Sequence, residues 1–185
     1  MFEALISGRN AVVCASLCAL TLGCDSGSTA PAAPEPDAPK PTMPAMDHAP
    51  GAGGFVVEPL ARGSFPDQVD AMFRIKLDER TQVVNVRDPS DVFTARITFE
   101  PGGSVGWHTH PGPVIVTVAS GELTIINASD CVHRPYGAGQ AFIDPGQGNV
   151  HVGFNDTAGT TVIYATFLDV PPGSPASIPA DDPGC

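Results

Sequence analysis

The most informative stretch of this sequence reads Gly102-Gly103-Ser104-Val105-Gly106-Trp107-His108-Thr109-His110. Side chains on a β-strand alternate between its two faces, so His108 and His110 point the same way, whereas Trp107 and Thr109 point the opposite way. Two imidazoles about 7 Å apart along one face can bind the same metal ion. A third ligand must then come from a neighbouring strand.

His151 is available as that third ligand, because it lies in a valine-rich, strand-like segment after a glycine-rich turn. Three neutral imidazoles suit divalent Fe, Zn, Mn, Cu or Ni, with water or substrate in the remaining coordination positions. We therefore predict a divalent metal ion bound by His108, His110 and His151. His133 is predicted to lie on the surface, and His48 belongs to a polar N-terminal region.

Short apolar segments alternate with turns through residues 55–170. The predicted strands are Met72–Leu77, Val83–Val86, Val92–Phe99, Val114–Val118, Leu123–Ile126, Ala141–Ile143, Val150–Phe154 and Thr161–Leu168. Ser120-Gly121 indicates a tight hairpin, and Pro101-Gly102-Gly103 is expected to end the third strand. No run of ten or more residues has a helical period with caps. The pattern predicts an all-β sandwich or jelly roll.

Two motifs in this region resemble those of the cupin superfamily. The first cupin motif is a glycine, five residues, His-x-His, three or four residues, a glutamate, six residues and a glycine. The second is a glycine, five residues, Pro-x-Gly, two residues, a histidine, three residues and an asparagine. The residues that match are Gly102, His108, His110 and Gly121 in the first motif, and Gly139, Pro145, Gly148, His151 and Asn155 in the second, with one extra residue between Pro145 and Gly148.

This resemblance implies a cupin-type double-stranded β-helix, a jelly-roll barrel, with the three histidines as metal ligands. The chain departs from the motif at the glutamate, where it has Val114, or Ile115 in the longer variant. Losing that carboxylate weakens the binding of hard cations, but a three-histidine site remains chemically reasonable. The ligand set is similar to that of the thiol dioxygenases, which hold iron with three histidines.

Three functional hypotheses remain open. In the first, the metal-binding barrel acts on or binds a small molecule, as an oxygenase or an isomerase if it is an enzyme. In the second, the barrel binds a ligand or partner without turnover, and the metal is structural. In the third, the histidines line a barrel without metal. We find no second acid–base residue beside the predicted site, so the sequence leaves the reaction open.

The N-terminal residues 1–23 are predicted to be a signal peptide. Ala11–Gly23 is an uncharged segment of 13 residues, whereas a bilayer-spanning helix needs about 20. Gly23 directly before Cys24 resembles the lipobox of bacterial lipoproteins, although Thr21 stands where that family prefers leucine. The resemblance implies that Cys24 is lipidated, becomes the new N-terminus and anchors the exported protein to a membrane of the cell envelope. A plain secretory signal is the alternative.

Residues 24–54 consist mainly of Ala, Pro, Gly, Ser and Asp, and they contain almost nothing to bury. Such a segment cannot offset the entropy lost on ordering, so we predict a disordered linker that spaces the domain from the membrane. The barrel is predicted at 55–170 and a turn-rich tail at 171–185. With the signal removed and Cys24 lipidated, Cys131 and Cys185 remain, and they are a natural disulfide pair in an exported protein.

The charge balance argues against one class of partner. The chain has 9 Lys and Arg against 20 Asp and Glu, which gives a net charge of −11. A surface of this sign repels phosphate backbones, so we expect no nucleic-acid partner. The partners that we do expect are a small-molecule ligand in the barrel and a membrane reached through the lipid anchor. A homodimer is left open.

Overall fold

We describe the protein from a computed structural model, which covers residues 52–77 and 80–185. The predicted signal peptide, Cys24 and almost all of the linker lie outside these residues. The strands are β1 (Gly53–Ser64), β2 (Asp70–Leu77), β3 (Arg80–Arg87), β4 (Asp91–Ser104), β5 (His108–Thr109), β6 (Val114–Ser120), β7 (Glu122–Asn127), β8 (His133–Gly137), β9 (Ala141–Asp144), β10 (His151–Phe154), β11 (Thr161–Val170) and β12 (Ile178–Pro179). Among the described residues there is no helix, and so none that could cross a membrane. The prediction of an all-β fold is confirmed.

Ten of these strands form one curved sheet, in the order β12-β5-β10-β4-β11-β6-β9. β1 pairs with β4 outside this path, and β7 connects β10 to β8. The interstrand pairing is antiparallel throughout. Antiparallel strands with crossovers that nearly close on themselves form a barrel whose alternate side chains point inward. This architecture is consistent with the predicted jelly-roll cupin.

The main core fills the barrel between β4, β6, β7 and β11. Its fully buried side chains include Phe99, Val114, Val118 and Leu123. Their positions follow from the sequence, because apolar residues alternate with exposed ones along β6, which reads buried-exposed-buried-exposed-buried from Val114. β2 and β3 form a separate two-stranded sheet that buries Ile75, Val84 and Val86 in a smaller cluster with Ile143.

Several strands were not predicted from the sequence. β1 begins at Gly53, two residues before the expected start of the barrel, and its side chains are exposed except at Phe55, so no alternating pattern marks it. β8 spans the link in which we placed only a surface histidine. β12 has only two residues, which is shorter than the segments that periodicity detects. β5 is equally short, but it lies in the stretch that the histidine spacing had placed on a strand.

The expectation that Pro101-Gly102-Gly103 ends a strand was wrong, because β4 continues to Ser104. Asn155 makes this possible. Its backbone accepts a hydrogen bond from Gly102 N at 2.8 Å and donates one to Gly103 O at 2.9 Å. Its fully buried side-chain amide also donates to the carbonyls of Phe99 and Glu100. Asn155 thus supplies hydrogen-bond partners that a neighbouring strand would otherwise provide, at the point where Gly102 and Gly103 make β4 irregular.

The C-terminal residues 171–185, which we call the strap, are tied to the barrel at both ends. Cys185 forms a disulfide with Cys131, and the two residues are separated by 54 positions in the sequence. At the other end Arg62 donates hydrogen bonds to the carbonyls of Val170 and Pro171 at 3.1 and 2.8 Å. Between these points the strap contributes β12 to the large sheet. The tail predicted from the sequence therefore includes a strand.

Candidate metal centre

The three histidines predicted as ligands lie together inside the barrel. One ring nitrogen from each of His108, His110 and His151 lies within 4.8 Å of the others. β5 supplies the first of them, His110 follows directly after it, and β5 pairs with β10 so that His151 stands directly opposite His108. All three residues are at most 6% exposed. These three buried histidines are positioned to bind a metal ion.

Each histidine has an oxygen acceptor at its Nδ1 atom. The acceptor is Gly106 O for His108 at 2.8 Å, Ala176 O for His110 at 2.7 Å, and Asn149 O for His151 at 3.5 Å. A carboxylate oxygen of Asp144 also lies 3.2 Å from Nδ1 of His151. An Nδ1–H that donates to such an oxygen leaves the lone pair on Nε2, which is the form of neutral imidazole that ligates a metal. Acceptors behind ligating histidines fix the tautomer and the ring orientation in metalloproteins.

Burial keeps these rings neutral. Burial, together with repulsion from the neighbouring histidine rings, lowers the pKa of His110 and of His151 to about 3. The pKa of His108 is also lowered, chiefly by burial. A deprotonated imidazole is the form that a metal requires, so these three side chains meet the requirement without any cost for removing protons near neutral pH.

Asp144 was missed by the sequence analysis, which found no carboxylate near the site. It ends β9, and its side chain is buried. Oδ1 accepts a hydrogen bond from Gly146 N at 2.8 Å, and Oδ2 accepts one from the Asn149 side chain at 2.9 Å in addition to its contact with His151. Burial raises the pKa of this carboxyl, and His110 opposes that effect.

The turn after Asp144 holds this carboxylate in place. Gly146 has a φ of 60°, and a Cβ there would overlap the carbonyl oxygen of Gly112. Gly112, two residues after His110, is itself packed against the backbone of Leu168. Only glycine allows two backbones to approach this closely. The signal available in the sequence was the Asp144-Pro145-Gly146 turn, but nothing in it indicated that the side chain points inward.

A cavity of about 50 Å³ adjoins the three histidines. Its polar end has the histidines, Asp144 and Ser177, and the rest is apolar, with Phe99, Leu123 and Phe167 among the lining residues. One water needs about 10–15 Å³ on this measure, so the space next to the metal position holds a few waters or a small ligand without rearrangement.

The remaining histidine and cysteine predictions have separate outcomes. His133 is exposed on β8 and faces Phe154 edge-on at 6.2 Å, away from the cluster. Cys131 and Cys185 are joined by a disulfide. Asn155, which matches the second motif, is structural. Trp107 packs in a cluster with Ile126, Val152 and Phe154 on the side of the strand away from the histidines. Cys24 and His48 lie outside the described residues.

The fold and the site define an antiparallel β-barrel with a buried three-histidine cluster. Residues 95–171 match the family model described as the cupin domain. This match supports the predicted assignment of the barrel to the cupin superfamily. No curated protein matches the chain.

Solved structures similar to this chain include two bacterial cupin domains. One is the Cupin_2 domain of an XRE family transcriptional regulator from Enterobacter cloacae, with 20% identity, coverage of 64% of this chain and 99% of that one, and a TM-score of 0.42. The other is a cupin domain from Bordetella pertussis, with 20% identity, coverage of 56% and 94%, and a TM-score of 0.37. An oxalate oxidase is similar at 27% identity, with a TM-score of 0.41. That match covers 48% of this chain and 46% of the oxalate oxidase, less than half of its length.

Proposed function

We propose that this protein is an envelope-tethered cupin that binds one divalent metal ion through His108, His110 and His151 and acts on or binds a small molecule beside it. The observation that carries the proposal is the convergence of three buried imidazoles, each with an oxygen acceptor at Nδ1. If these histidines had only structural roles, their hydrogen bonds to the backbone would not require the remaining ring nitrogens to converge on one point, as they do here. The metal would be Fe, Zn, Mn, Cu or Ni, since all accept imidazole ligands.

Asp144 takes part in this proposal through His151. A carboxylate beside the Nδ1 atom of a ligating histidine raises the basicity of that histidine and fixes the orientation of its ring. The buried carboxylate also places a negative charge close to the metal position, which partly offsets the charge of a divalent cation. In the cupin motif, a glutamate ligand supplies this negative charge. Here Asp144 supplies it from behind His151 rather than as a ligand.

The barrel's own residues define what it can do with a substrate. A metal held by three histidines leaves coordination positions that can polarise a substrate or activate oxygen or water. The apolar walls exclude bulk solvent from that position, and the volume of about 50 Å³ selects small ligands. A metal-dependent oxygenase or isomerase is the enzyme class that we propose.

The alternative is a cupin that binds a ligand or partner without turnover, with the metal as a structural element. One observation favours it. Asp144, the buried carboxylate that lines the cavity, already accepts hydrogen bonds from Gly146 and Asn149 and contacts His151. A carboxylate engaged in this way is poorly placed to exchange protons with a substrate.

The metal proposal is tested by metal content. The purified protein is expected to contain one equivalent of a divalent metal, and His108→Ala, His110→Ala and His151→Ala are each expected to abolish it. His133→Ala is the matched control, because this exposed histidine lies outside the cluster, and it is expected to retain full metal content. Metal retained in all three cluster variants would refute the proposed site.

Export and tethering to the envelope are part of the same proposal. The Cys131–Cys185 disulfide supports it, because such bonds persist mainly in oxidising compartments outside the cytosol. Cys24→Ser is expected to move the protein from the membrane fraction to the soluble one, and mass spectrometry of the N-terminal peptide is expected to find a diacylglyceryl group on Cys24. A protein that remains with the membranes after this substitution would contradict the lipid anchor.

A further inference from the structure

The strap pairs with β5, the strand that carries His108 and directly precedes His110. β12 pairs with β5 so that Ile178 lies opposite Thr109 and Pro179 lies opposite His108. One residue further on, Ala180 N donates a hydrogen bond to Trp107 O at 3.0 Å. β5 is therefore held between two neighbours, β10 inside the sheet and β12 of the strap. β12 of the strap is therefore the outer neighbour of the strand that carries His108.

The strap also enters the site itself. The carbonyl oxygen of Ala176 lies 2.7 Å from Nδ1 of His110. The neighbouring Ser177 lines the cavity beside the histidines. The oxygen atoms behind His108 and His151 come from the barrel, at Gly106 for His108 and at Asn149 and Asp144 for His151. The orientation of His110 therefore depends on a segment outside the barrel.

Apart from the disulfide, the strap is held by the Arg62 hydrogen bonds, by β12 with the Ala180 amide, and by Ala176, which packs against the main core. Its strand has only two residues, and Ile178 is 45% exposed. A two-residue ladder with little buried apolar surface belongs to the least stable part of a fold and opens locally at low cost. Cys185, by contrast, packs against the buried cluster that includes Trp107 and is covalently bound to Cys131, which lies shortly before β8. The disulfide is the contact that keeps the last residues of the strap on the barrel.

We propose that the strap is a separable wall of the metal site, and that the Cys131–Cys185 disulfide keeps the Ala176 carbonyl on His110 so that this histidine is oriented for the metal. The inference rests on the proposed metal-binding function. Without the disulfide the strap opens while the barrel stays folded, and His110 loses the acceptor that fixes its ring. Loss of such a partner costs about 10- to 100-fold in metal affinity.

Metal affinity is one test, with Co²⁺ as the probe because its visible absorption reports its ligands. The full chain is stripped of metal with a chelator and titrated in parallel with the Cys131→Ser/Cys185→Ser double variant. Because Cys14, Cys18 and Cys24 can also bind Co²⁺, each titration is corrected with the same chain carrying His108→Ala. The double variant is expected to bind Co²⁺ about 10- to 100-fold more weakly than the parent chain. Asp181→Asn, an exposed strap residue, is the control and is expected to leave the affinity unchanged.

Amide hydrogen exchange on the same proteins reports the strap without any metal. The double variant is expected to lose protection at residues 172–185, including the Ala180 amide, while β4 and β11 remain protected. Equal Co²⁺ affinity in parent and double variant would overturn the inference. Loss of protection throughout the large sheet would also overturn it, because the strap would then not be a separable unit. A parent chain whose Co²⁺ binding is unaffected by His108→Ala would refute the proposed function itself, whatever the strap does.

Discussion

Asp144 lies directly opposite Val114 in the register between β9 and β6. Val114 occupies the position at which the first cupin motif has its glutamate. Residues opposite each other on neighbouring strands project to the same face of the sheet. The carboxylate that is missing from one strand is therefore present on the next strand, on the same face, 3.2 Å from Nδ1 of His151.

This relationship leads to a prediction for Asp144. Asp144→Asn keeps the shape of the side chain and removes its charge. The metal position then loses a nearby negative charge, and Nδ1 of His151 loses the carboxylate oxygen that lies 3.2 Å from it. Metal affinity is expected to fall about 10- to 100-fold, measured by competition with a chromophoric chelator. Asp67→Asn, at an exposed aspartate, is the control for the change in net charge. Equal affinity in the D144N variant and the parent would show that Asp144 does not act on the metal.

The metal-free protein is expected to lose stability as the pH falls below about 6.5. His110 and His151 have pKa values of about 3 in the fold, whereas unfolded histidine titrates near 6.5. Between these values the unfolded chain binds more protons than the folded one, so the free energy of unfolding decreases as protons are added. Each of the two imidazoles contributes a slope of up to about 1.4 kcal/mol per pH unit.

Urea unfolding of the chelator-treated protein between pH 7.5 and 4.5 measures this slope. The raised pKa of Asp144 acts in the opposite direction, because the folded state then retains a proton that the unfolded state releases. Its effect extends from the ordinary pKa of aspartate up to the raised pKa of Asp144 in the fold. His110→Ala is expected to flatten the profile, and a slope unchanged by this substitution would mean that another group is responsible.

The close approach of two backbones at Gly146 predicts a strong effect of a single methyl group. Gly146→Ala places a Cβ against the Gly112 carbonyl at a residue with φ of 60°. We expect a loss of about 2 kcal/mol or more in the free energy of unfolding, since the strain and the overlap add. Gly159→Ala is the matched control, because a Cβ there meets nothing within 4 Å. A similar small change in both variants, measured by urea unfolding, would contradict the packing described here.

Asn155→Ala is expected to destabilise the protein without touching the histidines. The substitution removes the fully buried amide that donates to the carbonyls of Phe99, Glu100 and Gly159. Unsatisfied buried groups cost about 1–3 kcal/mol each, although one donor shared among three acceptors does not give the full sum. We expect a loss of about 2–3 kcal/mol. Asn85→Ala, at an exposed side chain, is the control, and thermal unfolding of the two variants compares them.

The sequence predicted the parts of the fold that depend on local pattern. The alternation in β6 and in β11 identified strands whose inner residues fill the core. The His-x-His spacing placed two imidazoles on one face, and the second motif supplied the third. These predictions succeeded because a strand's period of two is visible in a few residues.

Features that depend on tertiary contact could not be read in this way. Asp144 enters the site because β9 pairs with β6, and pairing between strands separated by a hairpin has no local signature. β1 has both faces largely exposed, so its pairing with β4 leaves no hydrophobic pattern. The role of Ala176 depends on a backbone carbonyl, which every residue has, and no residue type could have indicated it.

The bond between Cys131 and Cys185 encloses a closed ring of chain that contains both Asp144 and His151, whereas His108 and His110 lie outside it. A protease that cuts any one peptide bond between residues 132 and 184 therefore produces two fragments that stay covalently linked. The nicked molecule keeps all three histidines in one covalent assembly, and reassembly of the barrel remains independent of protein concentration. A cut before Cys131, for example in the exposed loop at residues 65–68, has no such protection and produces two separate fragments.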